Sequence, residues 1–352
     1  MKHAALRFVS ILCTIIFIAC VWFFAGCAGK QGPAGPAGKD GISAGESCQQ
    51  CHTGDQTLAA MRRQWEATPH ATGASFNEEG GRTACAECHN GAAFQAAANG
   101  DAITPQILAD ITSVNCYSCH NIHANYDTSD WALRVQTPVK MLIDTTVSID
   151  LGKGNLCAKC HQPRSNPMAT TSGTTVKVTS AHWGPHSSTQ AAILEGVGGY
   201  EISGSLAKAN SMHNSVVTDG CVQCHLYGNN HSLTPVLSAC NSNACHPGIT
   251  GFDLNATQTQ IEALLAEVRD TLAALGILKI DTIKTLTGFL DSAGSPAYTT
   301  AITTEGVVGT FPKEVAGLYQ NYLMVSTDGS KGVHNAKYAK YLLTNALEAL
   351  RN

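Results

Sequence analysis

The chain repeats one short arrangement in which two cysteines, separated by two residues, are followed at once by a histidine. Five copies have this spacing, numbered one to five in chain order: Cys48-Cys51-His52, Cys85-Cys88-His89, Cys116-Cys119-His120, Cys157-Cys160-His161 and Cys221-Cys224-His225. Cys-x-x-Cys-His is the attachment motif of c-type haem, in which two thioether bonds fix the porphyrin and the histidine is the proximal iron ligand. Five copies in 352 residues exceed chance, so we expect five covalent haem sites.

Zinc sites and disulfides are the two alternative uses of paired cysteines. Zinc ribbons join two Cys-x-x-Cys knuckles, and neither they nor a disulfide framework require a histidine directly after each second cysteine. Free thiols in an exported chain also tend to oxidise. The repeated histidine therefore favours haem attachment over both alternatives.

A sixth cysteine pair, Cys240 and Cys245, also precedes a histidine, His246, but four residues instead of two separate its cysteines. This segment is either a disulfide or a sixth haem site with a longer loop between its cysteines. Apart from one spare, six histidines outside the motifs are candidate ligands; six haems with two histidine ligands each use all six, whereas five haems leave one of the six unexplained. We therefore predict six covalent haems c, with motif six at this pair.

The histidines outside the motifs decide whether the irons are saturated, because haem iron accepts two axial ligands. Of the fourteen histidines, His3 lies in the N-terminal segment and six follow a cysteine pair, which leaves seven. These seven are His70, His123, His182, His186, His213, His231 and His334.

Local spacing constrains some of these candidates. His123 lies three residues after His120, so on a helical turn the two point the same way and cannot face each other across one iron. We predict that His123 ligates a neighbouring haem. His182 and His186 are four residues apart, but Gly184 and Pro185 break a helix between them. A shared zinc ion is therefore not expected there, and one of the two is the spare histidine.

Several segments resemble the exported multihaem c-type cytochromes of dissimilatory metal-reducing and related bacteria, over nearly the whole mature chain. They are "PHA" at 69–71, "HWGP" at 182–185, "MHNSVVTDGCVQCH" at 212–225, "HSLTP" at 231–235 and "GVHNAKYAKYLL" at 332–343. The distal ligands that the resemblance implies are His70, His182, His213, His231 and His334. It leaves His186 as a spare or as a proton donor.

The N-terminus predicts export. Lys2 and Arg7 form a positive region, residues 8–24 are apolar, and "FAGC" resembles a bacterial lipoprotein cleavage box in which Cys27 is lipidated. We predict a signal peptide over 1–27 and a lipid anchor in the periplasm or at the outer membrane or cell surface. A retained membrane anchor is the alternative, because the apolar run reaches the shortest length that spans a bilayer.

The remaining chain divides by composition. Residues 28–45 include "GKQGPAGPAGKDG", whose five Gly-X-Y triplets are too few for a stable collagen helix, so we predict an extended tether rather than a trimer. The haem-binding domain follows at 46–250. Residues 251–352 form a helical C-terminal segment that we expect to pack on that domain.

The predicted fold is that of a multihaem cytochrome, with short α-helices and irregular loops wrapped around a haem chain and little β structure. Only 6% of residues are aromatic, and six motifs occupy about two hundred residues, so we expect the haems to replace a conventional core there. A strand is predicted within 174–180. Apolar spacing predicts a helix of about eighteen residues that ends near Gly276. A loop over 296–311 precedes helices from Pro312 to about Met324 and from His334 to Leu350.

These features favour an electron carrier over an enzyme. The formal charge is −4 without a basic block, which excludes nucleic acid as an indicated partner. We expect electron transfer in anaerobic respiration or extracellular electron transfer, with other cytochromes, redox proteins, metal oxides or soluble shuttles as partners. One alternative is a reductase of nitrogen or sulfur oxyanions with one open haem, although the Cys-x-x-Cys-Lys motif of related nitrite reductases is absent. The other alternative is a subunit of a haem-stacked filament.

The intact mass of the mature protein tests the haem number and the anchor together. We expect the mass of a chain beginning at lipidated Cys27 with six covalent haems. A mass one haem short would return Cys240 and Cys245 to a disulfide, and a retained signal peptide would contradict the lipoprotein prediction.

Overall fold

The computed structural model describes residues 56–241, 245–290 and 296–351. The predictions for the signal peptide, Cys27, the tether and motif one concern residues outside the described ranges. The chain divides into a unit Met1–Ser47 and a unit Cys48–Asn352, and the description below concerns the second. None of the helices in the described ranges is both long and apolar enough to cross a membrane.

Helices in the first part of the described chain are short, and the longer ones follow residue 256. The α-helices are α1 Gln56–Glu66, α2 Pro69–Thr72, α3 Ser75–Glu79, α4 Thr83–His89, α5 Gly91–Asn99, α6 Pro105–Ala109, α7 Cys116–Cys119, α8 Asn155–Ala158, α9 Gln190–Glu195, α10 His213–Val216, α11 Cys221–His225, α12 Leu237–Asn241, α13 Thr257–Ala274, α14 Lys313–Asp328 and α15 Ala336–Ala349. Short 3₁₀ turns lie at Thr128–Trp131, Gly152–Gly154, Tyr227–Asn229 and Leu254–Ala256.

The described strands form two-stranded antiparallel sheets. Their bounds are β1 Val139–Met141, β2 Asp144–Ile149, β3 Thr175–Val178, β4 Leu278–Leu290, β5 Pro296–Gly306 and β6 Gly309–Pro312. Strand β1 pairs with β2, β3 with β6, and β4 with β5 in a long hairpin. The β3–β6 pair connects the chain after motif four to the start of α14, so it brings the C-terminal helices back to the motif region.

The expected combination of short helices, loops and little sheet is confirmed by these elements. Strand β3 lies within 174–180, and α13 has the predicted eighteen residues. The predicted loop over 296–311 is wrong, because β5 and β6 occupy it. Its threonines and Ile302 are β-branched and favour extended backbone once β4 supplies a partner. Helix α14 continues past Met324 to Asp328, where Gly329 adopts a left-handed φ of 72° and ends it.

A conventional apolar core joins the C-terminal helices to the chain between motifs four and five. Leu272 of α13, Leu318 of α14 and Leu343 of α15 are fully buried together. Val178 and Ile193 belong to the same cluster. This differs from the expectation that haems alone form the core between Cys48 and His246. The long interval between these motifs supplies a strand and a helix that pack in the ordinary way.

Buried asparagines fasten the C-terminal helices to the segment 199–206. Asn321 of α14 is fully buried, donates to the carbonyls of Tyr200 and Leu342 at 2.9 Å, and accepts from the Tyr200 N–H at 2.7 Å. Asn345 of α15 donates to the carbonyl of Ile202 at 2.9 Å. Every one of these bonds satisfies a backbone group that burial would otherwise leave unpaired. The turn between α14 and α15 is thereby held in one position.

The burial of individual side chains in and next to α13 predicts how much each contributes to the stability of the C-terminal helices. Leu272→Ala removes a fully buried side chain and should lower the free energy of unfolding by about 2–5 kcal/mol. Leu275→Ala, at the end of the same helix, removes a side chain that is 43% exposed and should change it by no more than about 0.5 kcal/mol. Urea unfolding of both variants measures the difference, and equal effects would contradict this packing.

Candidate functional site

The described motifs fold as single helical turns. The His120 N–H donates to the Cys116 carbonyl and the His161 N–H to the Cys157 carbonyl, each at 2.9 Å. This is the i to i−4 bond of an α-helix. Residues three apart share a helix face, so the two cysteines of a motif lie on one side of the turn. The histidine that follows then begins the next stretch of chain beside the two thiols.

In motif six the histidine again bonds the carbonyl of the first cysteine, although the two now lie six rather than four positions apart in the sequence. The His246 N–H donates to the Cys240 carbonyl at 3.0 Å, as the motif histidines do in the shorter copies. Residues 242–244 lie outside the described ranges. Cys240 and Cys245 are both free thiols. The first cysteine and the histidine of motif six are therefore joined as they are in the other motifs.

Each motif histidine in the described ranges faces one histidine from outside the motifs. The pairs and their ring-centroid separations are His161 and His70 at 5.8 Å, His89 and His186 at 6.2 Å, His120 and His231 at 6.5 Å, His246 and His213 at 6.0 Å, and His225 and His334 at 6.4 Å. No histidine occurs in two of these pairs. The described chain thus contains a one-to-one match between motif histidines and partners.

The separation fits two imidazoles on opposite sides of one metal ion. A metal to imidazole nitrogen bond is about 2.0 Å and a ring nitrogen lies about 1.1 Å from its centroid, so such a pair is about 6 Å apart. Ordinary aromatic contacts span about 4.5–7 Å, so distance alone does not discriminate. The one-to-one pattern does discriminate, because packing alone has no reason to give every motif histidine a single histidine partner.

Hydrogen bonds at Nδ1 leave the other ring nitrogen of several imidazoles available to a metal. The pairs of Nδ1 and acceptor carbonyl are His120 and Trp131 at 2.6 Å, His213 and Val333 at 2.7 Å, His225 and Leu233 at 2.8 Å, and His231 and Asn229 at 2.8 Å. A carbonyl oxygen only accepts, so Nδ1 carries the proton and Nε2 keeps its lone pair. These carbonyls also fix the plane of each ring.

Burial favours the neutral, metal-binding form of several of these histidines. It is the main influence on the pKa of His70, His120, His161 and His186, and it lowers the pKa of each. The neighbouring His161 lowers the pKa of His70 further. Since metals bind the deprotonated ring nitrogen, these neutral imidazoles can bind a cation without first losing a proton.

His334 differs from the others in its hydrogen-bond partner. Its Nδ1 lies 2.6 Å from Oδ1 of Asp328, whose side chain is 1% exposed. Burial by itself would lower the pKa of His334, but the hydrogen bond and charge of Asp328 outweigh burial and raise it. Asp328 was not singled out in the sequence, because nothing in the spacing of Asp328 and His334 indicates that α14 ends against this histidine.

The "HWGPH" turn presents His186, rather than His182, to a motif histidine. Gly184 has a φ of 132°, and a Cβ there would meet Leu323 at 2.5 Å. Its carbonyl accepts from the Ser165 hydroxyl at 2.6 Å. This anchored turn carries His186 to His89, whereas the described chain has no motif histidine facing His182. The geometry therefore favours the reverse of the sequence-based roles for these two histidines.

His123 lies in an aromatic setting beside motif three. Its ring stacks on Tyr126 at 5.5 Å, and its Nδ1 is 3.3 Å from the Tyr117 hydroxyl. His120 faces His231, so the two histidines serve different partners, which agrees with the spacing argument. The motif histidine that remains for His123 is His52, which lies outside the described residues.

Motifs two and four lie side by side and exchange partners. The Cys88 sulfur is 4.0 Å from the Lys159 carbonyl, and the Lys159 ammonium is 3.7 Å from the Glu87 carboxylate. The Cys88 and Cys160 thiols lie within hydrogen-bonding reach of each other. His70 precedes motif two but faces motif four, while His186 follows motif four but faces motif two.

Motif five packs against motif four on its other side. A Cβ at Gly152 would meet the Thr218 carbonyl at 2.5 Å, and one at Gly154 would meet the Cys221 nitrogen at 2.9 Å, so only glycines permit this approach. Lys153 pairs with Asp219 at 2.9 Å beside them. The backbone just before motif four therefore touches the backbone at the start of motif five.

Motif six lies beside motif five. Helices α11 and α12, which carry Cys221–His225 and Cys240, are in contact. Burial, and after it the neighbouring Cys240 thiol, raises the pKa of Cys224. Motifs two, four, five and six thus form a continuous series of neighbours.

Closed metal sites of the zinc type are not found in the part of the chain that the structure describes. No group of three or more His, Cys, Asp or Glu side chains there is arranged to hold a metal ion. The recurring unit is instead two thiols and two facing imidazoles. Covalent haem needs these four groups, because the porphyrin nitrogens supply the other iron ligands.

Comparisons with known proteins add one structural likeness. No protein-family model matches the chain, and no curated protein matches it. Among solved structures, the outer cell wall cytochrome OcwA aligns with a TM-score of 0.48 and 22% identity, over 82% of this chain and 50% of that chain. The chain therefore spans about half the length of that structure.

The two histidines of the "HWGPH" turn provide a matched pair of variants. If His186 holds an iron opposite His89, His186→Ala should leave one haem five-coordinate and high-spin in the oxidised protein. His182→Ala should leave every haem low-spin. Electron paramagnetic resonance and absorption spectra of both variants measure this, and a high-spin signal in His182→Ala alone would restore the assignment made from the sequence.

Proposed function

We propose that the protein is a multihaem c-type cytochrome that transfers electrons through six covalent haems c with bis-histidine ligation. The observation that carries the proposal is the match of every described motif histidine to one facing histidine at 5.8–6.5 Å. When bound, haem c supplies reversible one-electron exchange between ferric and ferrous iron. The cysteines and imidazoles of the chain fix where that exchange occurs.

The residues that we assign to each site follow from the pairs. The attachment cysteines and ligands, motif by motif, are Cys48, Cys51, His52 and His123; Cys85, Cys88, His89 and His186; Cys116, Cys119, His120 and His231; Cys157, Cys160, His161 and His70; Cys221, Cys224, His225 and His334; and Cys240, Cys245, His246 and His213. His123 and His182 are the two candidates outside the five described pairs, and we assign His123 to His52 because its spacing from His120 predicts that it ligates a neighbouring haem. His182 becomes the spare.

Saturated ligation favours electron transfer over catalysis at the iron. Within the described motifs each proximal histidine has a facing imidazole, so a substrate must displace a ligand to reach the metal. His186, the proton donor of the reductase alternative, lies in the position of a ligand instead. No observation in the described chain favours nitrogen or sulfur oxyanions as substrates.

The packing of the motifs supports a continuous path. Motif four contacts motif two through Cys88 and Lys159, and the Cys157 thiol of motif four lies within hydrogen-bonding reach of the Cys221 thiol of motif five. Motif six follows motif five. We propose that electrons pass along this series, in which motif four links motif two to motif five.

The cellular role is proposed from the sequence alone. The apolar N-terminus and Cys27 support export and lipid anchoring, in the periplasm or at the outer membrane or cell surface. Other cytochromes, redox proteins, metal oxides or soluble shuttles are the proposed partners, in anaerobic respiration or extracellular electron transfer. The filament alternative likewise stays a prediction.

Spectroscopy of the oxidised holoprotein tests the proposed function. We expect low-spin signals only, an uptake of six electrons per chain in a reductive titration, and no turnover of nitrite, hydroxylamine or tetrathionate by the reduced protein. The His186→Ala variant is the positive control for an open iron. A high-spin haem in the wild-type protein together with turnover of one of these substrates would instead support a reductase.

A further inference from the structure

We propose that Asp328 is a tuning residue for the haem of motif five, and that it lowers the reduction potential of that haem through His334. The inference rests on the proposed function, in which His334 is the distal ligand opposite His225. Asp328 itself does not touch the iron site. It acts on the electron-donating strength of the imidazole that does.

The contact is a short hydrogen bond between a ring nitrogen and a buried carboxylate. Asp328 Oδ1 lies 2.6 Å from His334 Nδ1, and Oδ2 accepts from the hydroxyl and the N–H of Ser330. The Ser330 hydroxyl oxygen in turn accepts from the His334 N–H at 3.1 Å. The turn between α14 and α15 therefore holds carboxylate and imidazole in one fixed arrangement.

The placement of this carboxylate is unfavourable for stability alone. Asp328 is the last residue of α14, where the helix dipole already presents negative charge, and its side chain is 1% exposed. Lys331, three residues on, pairs with Glu262 instead. Among the ion pairs of the described residues, the partner of Asp328 is His334. The buried charge of Asp328 is explained by its effect on the electron-donating strength of the His334 imidazole.

Other ligand histidines provide the contrast. His120, His213, His225 and His231 each have a backbone carbonyl at Nδ1, which is a neutral acceptor. A carboxylate draws the Nδ1 proton more strongly, and second-shell partners of this kind raise the basicity of the ligand. The proton stays on His334, so no proton transfer is involved.

A more basic ligand stabilises the higher charge on the metal. Reduction adds one electron to the ferric site and lowers its positive charge by one, so an anion beside the ligand favours the ferric state. The potential of motif five is therefore set below the value that a carbonyl partner of the same histidine would give. This effect requires the negative charge of Asp328 and not merely a hydrogen-bond acceptor.

Asp328→Asn tests the charge while keeping the size and an acceptor oxygen. Spectroelectrochemical titration of the holoprotein should show one midpoint moved to a more positive potential, by a tenfold change in the reduction equilibrium constant, or about 59 mV for one electron. The low-spin resonance signal of one haem should change with it. The other midpoints should stay in place.

Asp130→Asn is the matched control. As whole residues, Asp130 and Asp328 are equally buried, each 4% exposed. The Asp130 carboxylate, however, accepts from the backbone N–H groups of Asn125 and Tyr126, and a motif histidine is not among its described partners. The Asp130→Asn substitution removes the same charge from a buried site, but among the described residues this site does not contact His334. The midpoint of motif five should therefore stay unchanged. An equal shift in both variants would assign the effect to net charge and overturn the proposal.

Ser330→Ala provides a second measurement that spares the contact between Asp328 and His334. Removing the hydroxyl leaves the carboxylate with one donor fewer, so the same midpoint should move to a more negative potential. If the Asp328→Asn protein does not assemble, the Ser330→Ala variant tests the proposal instead. An unchanged motif-five midpoint in Ser330→Ala would then overturn it. Wild-type protein with six low-spin haems but no shift in either variant would refute the tuning role alone. Missing haems or an open iron in the wild type would refute the proposed function.

Discussion

Each described motif histidine has a second histidine ring 5.8–6.5 Å away, and the arrangement of the surrounding chain depends on these five contacts. The partners are distant in sequence: His70 with His161, and His225 with His334. A helical turn places the cysteines and the proximal histidine locally, but the second histidine must arrive from elsewhere. Short helices, tight turns and carbonyl contacts at Nδ1 all act to bring a ring to that distance.

The C-terminal helices have a role that their apolar pattern alone does not indicate. Their core and the asparagines Asn321 and Asn345 fix the segment between α14 and α15 to the motif region. That segment delivers both His334 and its carboxylate partner Asp328. Ordinary packing in this part of the chain thus positions the proposed distal ligand His334 together with its carboxylate partner.

Features set by residues close together in the sequence could be predicted from it. Features set by contacts between distant segments could not. The motif cysteines and proximal histidines follow from spacing of a few residues, and the pattern of α13 follows from helical periodicity. The choice between His182 and His186 depends on how the Gly184 turn is anchored by Ser165, which spacing does not encode. The strands at 296–306 and 309–312 formed where a loop was expected, because their partners β4 and β3 lie elsewhere in the sequence.

The exchange of partners between motifs two and four has a consequence for biogenesis. Each of these two motif histidines meets a histidine that lies beyond the other motif in the chain, so neither proposed ligand pair forms until the segment 70–186 has been synthesised and folded. Metal binding and chain folding are coupled in such an arrangement. Haem attachment at only one of the two motifs would leave the segment that carries the other histidine without its proposed ligand contact. Under the proposed ligation, the haem sites of motifs two and four are therefore completed together as this segment folds.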